Sequence, residues 1–327
     1  MASALLTGLF FAFVILAAGK WISTRLFLSS VQIPLYDATA PLTASSGYSG
    51  GLNVDKEVPD ISPIPSSILP IPSPTSPRVS PPAPVPPPVP VPVVSAQAYL
   101  VTVLNANTSL PERTVVEKES MRALPIASLT KLATAVVAEQ VLDQNKSVTI
   151  TKKILATYHN DPAGFREGEQ MKVGQLLYPL LMVSSNDAGE ALAQSYTPGR
   201  AWFIKAMNDW AYSIGAYNTF FADPTGLSPE NISSPHDLAI ILAWIYVHHA
   251  ELVAITATKV KFLGVHTWTS PTQLLNLSSY LAGKNGYLPE SGQTSVSLFE
   301  INKKRYIVVT LNSQARDQDV LSLLQKI

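Results

Sequence analysis

A proline-rich segment divides this chain of 327 residues and restricts where a compact fold can form. Fifteen of the 27 prolines lie between Pro59 and Pro92, in sequence such as PSPTSPRVSPPAPVPPPVPVPVV. Proline lacks a backbone N–H and fixes its own φ angle, so this stretch cannot build helices or sheet ladders. We expect an extended, polyproline II-like linker over about 29–95. The spacer interpretation is preferred to the alternative, a ligand for proline-recognising domains, because a spacer needs no partner.

An apolar segment precedes the linker. Residues 1–19 carry no charged side chain, and 5–18 is dense in Leu, Phe, Val, Ile and Ala. Its length lies between that of a membrane span and that of a signal-peptide core. We interpret 1–28 as a membrane anchor or signal segment and favour an uncleaved anchor, because a spacer suits a tethered domain. Lys20 and Arg25 follow the apolar run, and no Lys or Arg precedes it. By the positive-inside tendency, these charges favour a cytoplasmic location for the chain after the anchor, which opposes our preferred interpretation of a domain on the other side of the membrane.

The segment from about 96 to 327 has the patterns of one folded domain. Strand-like runs lie near both of its ends, and helix-like runs lie between them. We therefore predict an α+β fold, an antiparallel sheet closed by the N- and C-terminal parts of the domain with an inserted helical lobe. The predicted strands are 99–104, 114–118, 294–301 and 306–311, and the predicted helical regions are 128–142, most of 173–270 and 317–326.

Composition excludes several classes of function. Lys and Arg number 23, as do Asp and Glu, so the formal net charge is zero and nothing favours a nucleic-acid partner. The chain has no cysteine, which excludes disulfides, thiolate metal sites and a cysteine nucleophile. None of its five histidines has metal-ligand spacing with a carboxylate. We expect no metal and no cofactor.

The most informative motif is Ala127-Ser128-Leu129-Thr130-Lys131, which leads into the apolar run LATAVVA. Residues three apart on a helix share a face, so Ser128 and Lys131 are expected to point the same way from a buried helix. Partial burial would lower the pKa of the lysine, and a neutral amine can take a proton from a serine hydroxyl. The alternative is a serine helix cap beside a solvent-facing lysine.

Two further polar motifs follow in the chain. Ser184-Ser185-Asn186 interrupts two apolar segments and predicts a loop between helices that points into a cleft, or alternatively a simple cap of a helix starting at Asp187. Gly283-Lys284-Asn285-Gly286-Tyr287 predicts an edge strand whose glycine lets a substrate backbone approach. Because Asn-Gly is a common hairpin turn, a turn is the alternative there.

These three motifs in this order resemble those of the penicillin-recognising serine enzymes, within which the chain is similar to the D-alanyl-D-alanine carboxypeptidases. The resemblance extends from about 98 to the C-terminus. It includes IASLTKLATAVV, VGQLLYPLLMVSSNDAGEALA and MNDWAYSIGAYNTFFADPTGLSPENISSPHDLA. It implies a β-lactamase/transpeptidase-like fold and a hydrolase that trims D-Ala from peptidoglycan stem peptides, with β-lactams as covalent inhibitors. It also implies an exported catalytic domain outside the cytoplasm, here tethered to the cell membrane.

The resemblance assigns a role to each matching position. Ser128 is the implied nucleophile, Lys131 its base and Ser184 a proton relay to the leaving amine. Four residues are implied to bind substrate: Asn186, Lys284, Asn285 and Gly286. The backbone N–H groups of Ser128 and Tyr287 form the implied oxyanion hole.

One position departs from the family pattern, which usually has threonine where this chain has Asn285. This departure motivates an alternative function, a catalytically weak or inactive cell-wall-binding protein on the same fold. A β-lactamase is a further alternative. It requires a base for deacylation, for which Glu167 and Glu169 are the nearest candidates in sequence.

Overall fold

An antiparallel sheet flanked by helices forms the described part of this chain in a computed structural model. The structure describes residues 94–105, 108, 110–156 and 158–327. The anchor or signal segment predicted at 1–28, and the linker predicted over 29–95 as far as residue 93, lie outside the described residues. Their assignments remain predictions.

Eleven strands are present in the described ranges. They are β1 (Ala98–Asn105), β2 (Leu110–Lys118), β3 (Leu124–Pro125), β4 (Ser147–Thr149), β5 (Gln170–Lys172), β6 (Ile232–Ser233), β7 (Val260–Leu263), β8 (His266–Thr269), β9 (Tyr280–Leu288), β10 (Gly292–Ile301) and β11 (Lys304–Ser313).

The main sheet joins strands from the two ends of the domain, as predicted. Its order is β2-β1-β11-β10-β9, and every pairing is antiparallel. In the central pairing, Ala98 lies opposite Leu311 and Val101 opposite Val308. The turn between β10 and β11 uses Asn302, with a φ of 52°. The α+β prediction is therefore confirmed.

The helices lie mainly between β3 and β9 in the chain. They are α1 (Lys131–Val141), α2 (Lys152–Leu155), α3 (Val173–Met182), α4 (Asn186–Ser195), α5 (Arg200–Ser213), α6 (Pro235–His248), α7 (Ala250–Thr256) and α8 (Arg316–Leu324), with 3-10 helices at Ala127–Thr130 and Gln273–Asn276. Every side chain of α1 from Lys131 to Ala138 is buried. This helix is thus enclosed on all sides, as its continuous apolar pattern predicts.

Two apolar clusters cover the faces of the sheet. The larger one packs α1, α3, α4 and α6 against inward side chains of the sheet such as Leu100 and Val309. On the smaller cluster, Val320 and Leu323 of α8 contact Val101 and Val308. The sheet is therefore buried on both faces, and the site described below lies at one of its edges, where β9 meets the start of α1.

The region 173–270 is less helical than predicted, because it ends in a β-hairpin. β7 and β8 pair in register, with Leu263 opposite His266. Gly264 in the turn has a φ of 58°, a conformation that glycine adopts easily and that a two-residue hairpin turn requires.

No single helix in the described ranges is long and apolar enough to cross a membrane. The pair α6 and α7 meets the length and composition requirement only together, and the two helices are bent by 113° at their junction.

Candidate active site

Ser128 lies in the 3-10 helix that immediately precedes α1, and its side chain is partly exposed to a cleft. Ala127 before it has a φ of 48°, an uncommon conformation for a residue with a side chain. Two hydroxyls hold this segment. Thr130 Oγ1 donates to the Ala127 carbonyl at 2.8 Å, and Thr294 Oγ1 donates to the Ile126 carbonyl at 3.1 Å. The serine is therefore presented from a constrained turn.

Lys131 is fully buried directly behind Ser128. Its Nζ lies 2.9 Å from Ser128 Oγ, 2.8 Å from Asn186 Oδ1 and 2.5 Å from the Thr225 carbonyl. Burial lowers the pKa of this amine to about 7, against the opposing effect of nearby carboxylates. The solvent-facing alternative for this lysine is therefore wrong. A large fraction of Lys131 is uncharged near neutral pH.

The three partners of Lys131 determine how a neutral amine is oriented. Asn186 Oδ1 and the Thr225 carbonyl oxygen can only accept hydrogen bonds, so a neutral amine donates its two N–H groups to them. The hydroxyl of Ser128 can either accept or donate. With a neutral lysine, the amine lone pair faces Ser128 Oγ, which then donates its proton toward Nζ. This geometry is suited to deprotonating the serine.

Ser184 also lines the cleft, in the loop between α3 and α4, with a φ of 64°. Its Oγ accepts a hydrogen bond from Lys284 Nζ at 2.9 Å. The loop between helices is thus confirmed, although α4 starts at Asn186. The cap is also present, but it is made by Ser185, whose Oγ accepts from Ala188 N at 3.0 Å.

Lys284 is 6% exposed and also donates to the Asn285 carbonyl at 2.7 Å. Burial lowers its pKa well below the ordinary value, and the positive charges of Lys131 and Arg316 act in the same direction. The cleft therefore holds two amines whose charged forms are both disfavoured. An anionic group entering the cleft would favour protonation of Lys284.

Asn285, Gly286 and Tyr287 lie within the C-terminal half of β9, so the hairpin-turn alternative for Asn285-Gly286 is wrong. Pairing with β10 places Asn285 opposite Ser295 and holds this segment extended. The Asn285 amide nitrogen donates to Thr272 Oγ1 at 3.2 Å. One donor of the asparagine is therefore directed at the protein.

Two glycines allow the backbone of neighbouring segments to approach Ser128. A Cβ at Gly286 would lie 2.8 Å from Ser128 N and 2.6 Å from Thr294 Oγ1. A Cβ at Gly226, whose φ is 85°, would lie 2.0 Å from the Ala127 carbonyl oxygen. All three distances are shorter than a Cβ atom can adopt, so neither position can carry a side chain unless its neighbours move. Sequence reasoning had a role for Gly286 but none for Gly226.

The sequence also gave no role to Asp223, which folds the loop that carries Gly226. Its Oδ1 accepts from Thr225 N at 2.6 Å and from Gly226 N at 2.7 Å, and its Oδ2 accepts from Ser228 N at 2.7 Å. Burial alone would raise its pKa, but these hydrogen bonds lower it below the ordinary value. This anionic loop fixes the Thr225 carbonyl on Lys131. The available signal was the Asp-Pro-Thr-Gly sequence, which is typical of a turn.

The cleft in front of Ser128 has a volume of about 340 Å³. Arg316, at the start of α8, is a further lining residue that sequence reasoning missed, and its Nη1 lies 3.5 Å from the Gly286 carbonyl. The lining residues are Ser128, Tyr158, Pro162, Val183, Ser184, Asn186, Gly226, Leu227, Pro271, Asn285, Gly286, Tyr287, Leu288 and Arg316.

Neither glutamate considered for β-lactam hydrolysis lines this cleft. Glu167 is exposed, and Glu169 Oε1 lies 2.5 Å from Nε2 of His266, which stacks on Trp268. In the described ranges, no group of three or more His, Asp or Glu side chains is arranged to hold a metal ion.

A cleft-facing serine beside a buried lysine at the start of an enclosed helix, on an antiparallel sheet with a helical lobe, is typical of the class of penicillin-recognising serine enzymes. Solved structures of this class are similar to the chain. The Streptomyces K15 DD-transpeptidase has a TM-score of 0.66 at 26% identity, covering 73% of this chain and 98% of that one. The D-alanyl-D-alanine carboxypeptidase of Mycobacterium tuberculosis has a TM-score of 0.65 at 26% identity, covering 73% and 92%.

The chain belongs to the peptidase S11 family, described as D-alanyl-D-alanine carboxypeptidase, whose pattern matches residues 87–315. A D-alanyl-D-alanine endopeptidase of Pseudomonas aeruginosa is 39% identical over 123 residues, which cover 36% of this chain and 39% of the relative. A Haemophilus influenzae endopeptidase is 32% identical over 217 residues, covering 64% and 71%. A Bacillus subtilis D-alanyl-D-alanine carboxypeptidase is 31% identical over 156 residues, covering 46% and 40%. The chain thus spans less than half the length of two of these three relatives.

Proposed function

We propose that this chain is a serine-type D-Ala-D-Ala carboxypeptidase that acts on peptidoglycan stem peptides through an acyl-enzyme on Ser128. The observation that carries the proposal is the contact of 2.9 Å between Ser128 Oγ and the amine of Lys131, which is fully buried. An amine with a pKa of about 7 is a suitable base at neutral pH. Membership of the S11 family agrees with this chemistry.

Acylation begins with neutral Lys131 accepting the proton of Ser128 while Oγ attacks the carbonyl carbon between the two D-alanines. The backbone N–H groups of Ser128 and Tyr287 would stabilise the developing oxyanion, a type of contact worth about 3–4 kcal/mol of barrier per donor. The close approach of Gly286 to Ser128 N supports this pairing of β9 with the 3-10 helix. Asn186 would hold Lys131 and bind the substrate backbone.

Collapse of the tetrahedral intermediate requires a proton on the departing amine of the terminal D-alanine. Ser184, whose Oγ accepts a hydrogen bond from Lys284 Nζ at 2.9 Å, would relay to this amine the proton that Lys131 took from Ser128, so that Ser184 keeps its hydroxyl and Lys131 becomes neutral again. Lys284, Asn285 and Arg316 would bind the terminal carboxylate, whose negative charge would favour the charged form of Lys284. A water molecule then hydrolyses the ester on Ser128 and restores the free enzyme.

The alternatives have less support. A β-lactamase needs a base placed for rapid deacylation, and both Glu167 and Glu169 lie outside the cleft lining. A binding protein without catalysis would not need the contacts among Ser128, Lys131 and Asn186.

The decisive experiment is to incubate the full chain, solubilised in detergent, with a labelled penicillin and to follow the protein mass over time. A stable adduct on Ser128, absent in Ser128→Ala, together with D-Ala release from a pentapeptide, is expected. Turnover of the penicillin without an adduct would instead indicate a lactamase, and no adduct at high concentration would indicate a binding protein. A cross-linked muropeptide as second substrate tests the endopeptidase activity named for two relatives.

The segment 1–28 and the linker 29–95 complete the proposal, with support from sequence alone. The apolar run would anchor the chain in the cell membrane, and the proline-rich linker would carry an exported catalytic domain away from it. Membrane fractionation and N-terminal sequencing of the mature protein test this part. A soluble protein that begins after the apolar run would contradict the anchor.

A further inference from the structure

Asp161 is a carboxylate in the loop between α2 and β5 that the mechanism above does not use. Its two carboxylate oxygens accept four hydrogen bonds, three of them from the segment 185–187. Its Oδ1 accepts from Ser185 Oγ at 2.6 Å and from Ala163 N at 3.0 Å. Its Oδ2 accepts from Asn186 N at 2.6 Å and from Asp187 N at 3.2 Å. The carboxylate therefore binds the first turn of α4 through both oxygens.

The first turn of a helix has backbone N–H groups without helical partners and carries the positive end of the helix dipole. A carboxylate accepts hydrogen bonds from these N–H groups, and its negative charge interacts favourably with the positive end of the dipole. Asn186 is the first residue of α4, so its backbone is held by Asp161 while its side-chain Oδ1 accepts from Lys131 Nζ at 2.8 Å. One residue thus connects the carboxylate to the base proposed for the reaction.

We propose that Asp161 is a positioning residue of this active site, which fixes Asn186 on Lys131 and supplies a negative charge close to the amine. The inference rests on the proposed function, because it assigns the effect of Asp161 to proton transfer from Ser128. Loss of the contact would let the start of α4 move, and with it the Asn186 amide and the neighbouring Ser184. A displacement of about 1 Å at such a group costs on the order of a hundredfold in rate.

Four other ionisable groups act on Lys131 or on its charged neighbours. Asp223 and Asp161 raise the pKa of the amine, and burial lowers it more strongly. Lys284 is a neighbouring amine, and burial first, then the positive charges of Lys131 and Arg316, lower its pKa well below the ordinary value. Asp187 lies beside Asp161; burial first, and then the charge of Asp161, raise its pKa to about 7.

The sign of the expected effect follows from these groups. Lys131 must be neutral to accept a proton, so the rate of acylation increases as the pH rises through its pKa. Removing the negative charge at Asp161 makes the neutral amine easier to form. The acid limb of the rate profile should therefore move to lower pH, by roughly 0.5–1 unit, because an opposite charge in direct contact shifts a pKa by about 1–3 units and Asp161 acts through Asn186.

The test uses the full chain and measures penicillin acylation against pH for three variants. Asp161→Asn removes the charge and one acceptor, so its limb should move to lower pH and its plateau rate should fall about tenfold to a hundredfold. Asp161→Glu keeps the charge but displaces it, so its plateau should fall while its limb stays in place. Asp209→Asn is the matched control, because Asp209 is exposed and pairs with Lys205 on α5; its profile should match wild type.

The inference is overturned if Asp161→Asn keeps the plateau and the limb of wild type, or if Asp161→Glu moves the limb as far as Asp161→Asn. If Asp161→Asn fails to fold, Asp161→Glu alone decides. An acylation rate at the plateau equal to that of wild type overturns the inference, and a lower plateau rate with the acid limb at the wild-type pH supports it. Wild-type protein that forms no penicillin adduct rejects the proposed function instead, so the two failures are distinguishable.

Discussion

At the scale of single residues, the site depends on one hydroxyl–amine contact whose direction is set by its surroundings. Lys131 has acceptors at Asn186 and Thr225, which leaves Ser128 as the partner able to exchange donor and acceptor roles. Without burial the amine would be almost fully charged at neutral pH. Both the enclosure of α1 and the Asp223 loop are therefore part of the chemistry.

This arrangement predicts a defined pH dependence. Penicillin acylation of the wild-type chain should rise about tenfold per pH unit below the Lys131 pKa of about 7 and level off above about pH 8. Lys131→Arg keeps the positive charge at all these pH values and should lower the plateau at least about a hundredfold. Stopped-flow acylation rates between pH 5 and 9 provide the check. A profile that is flat across this range would rule out a neutral lysine as the base.

Asn285 gives a second prediction at this scale. Its amide nitrogen donates to Thr272 Oγ1 at 3.2 Å, so less of its donor capacity is directed at a substrate carboxylate. Asn285→Thr supplies a shorter hydroxyl on a β-branched side chain that suits the strand and should raise acylation and D-Ala release about threefold to tenfold, the effect of a modest hydrogen bond. Steady-state D-Ala release, with Asn285→Ala as control, measures this. An unchanged or lower rate would show that Asn285 is not a weakened carboxylate contact.

Sequence reasoning predicted the proximity of Ser128 and Lys131, because residues three apart share a helix face. It did not predict Asp161 or Asp223. The Asp161 carboxylate accepts from the backbone N–H groups of Asn186 and Asp187, which lie in a segment distant in sequence, and no periodicity in a sequence encodes such a contact. Asp223 lies in a recognisable turn sequence, but the acceptor that this turn presents to Lys131 depends on packing across the domain.

At the scale of elements, the central feature is the contact between β9 and the 3-10 helix Ala127–Thr130. A Cβ at Gly286 would lie 2.8 Å from Ser128 N, so the strand and the helical turn are in backbone contact. Pairing of β9 with β10 on its other side keeps the strand in place. A substrate that binds along β9, as proposed, would consequently be held beside Ser128.

Gly286→Ala should disrupt this contact. The added methyl group meets backbone on one side and Thr294 Oγ1 at 2.6 Å on another, so we expect a loss of about 1–3 kcal/mol of stability and at least about a hundredfold in acylation. Gly174→Ala on α3 is the matched control, because its nearest neighbour would lie at an ordinary 3.5 Å. Urea unfolding and penicillin acylation together test this. Equal rates for the two variants would contradict the close approach.

Element assignment from sequence succeeded where long apolar patterns were present, and it left two interpretations open where turn residues occurred. The continuous apolar run of α1 was sufficient to predict its burial. Asn285-Gly286 has the composition of a turn, yet it lies within a strand because β10 pairs along its length. The hairpin of β7 and β8 was overlooked because its strands have only four residues each.

At the scale of the whole molecule, the N- and C-terminal segments of the domain are joined by strand pairing and hydrogen bonds. β1 pairs with β11 in the middle of the sheet, and Gln97 N donates to the Leu311 carbonyl at 3.1 Å. Asp319 of α8 is buried and accepts from Ser95 N at 2.8 Å and from Ser95 Oγ at 2.7 Å. The helical lobe is therefore inserted into a sheet that both ends must complete.

Asp319→Ala should weaken this junction. It leaves the donors of Ser95 and Ser313 without their buried acceptor, at an expected cost of about 2–4 kcal/mol. Gln318→Ala, one residue earlier on the exposed side of α8, should change stability by less than about 0.5 kcal/mol. Urea denaturation followed by circular dichroism compares the two. A midpoint for Asp319→Ala equal to that of the control would show that the junction adds nothing to stability.

The place of β9 in the chain has a consequence for biosynthesis. A ribosome makes Ser128 and Lys131 long before it makes Gly286 and Tyr287, and β10, the strand that pairs with β9, comes later still. A nascent chain therefore carries Ser128 with no strand beside it. Reactivity of Ser128 is expected to arise only after β9 and β10 have been made, which keeps a shorter nascent chain from reacting.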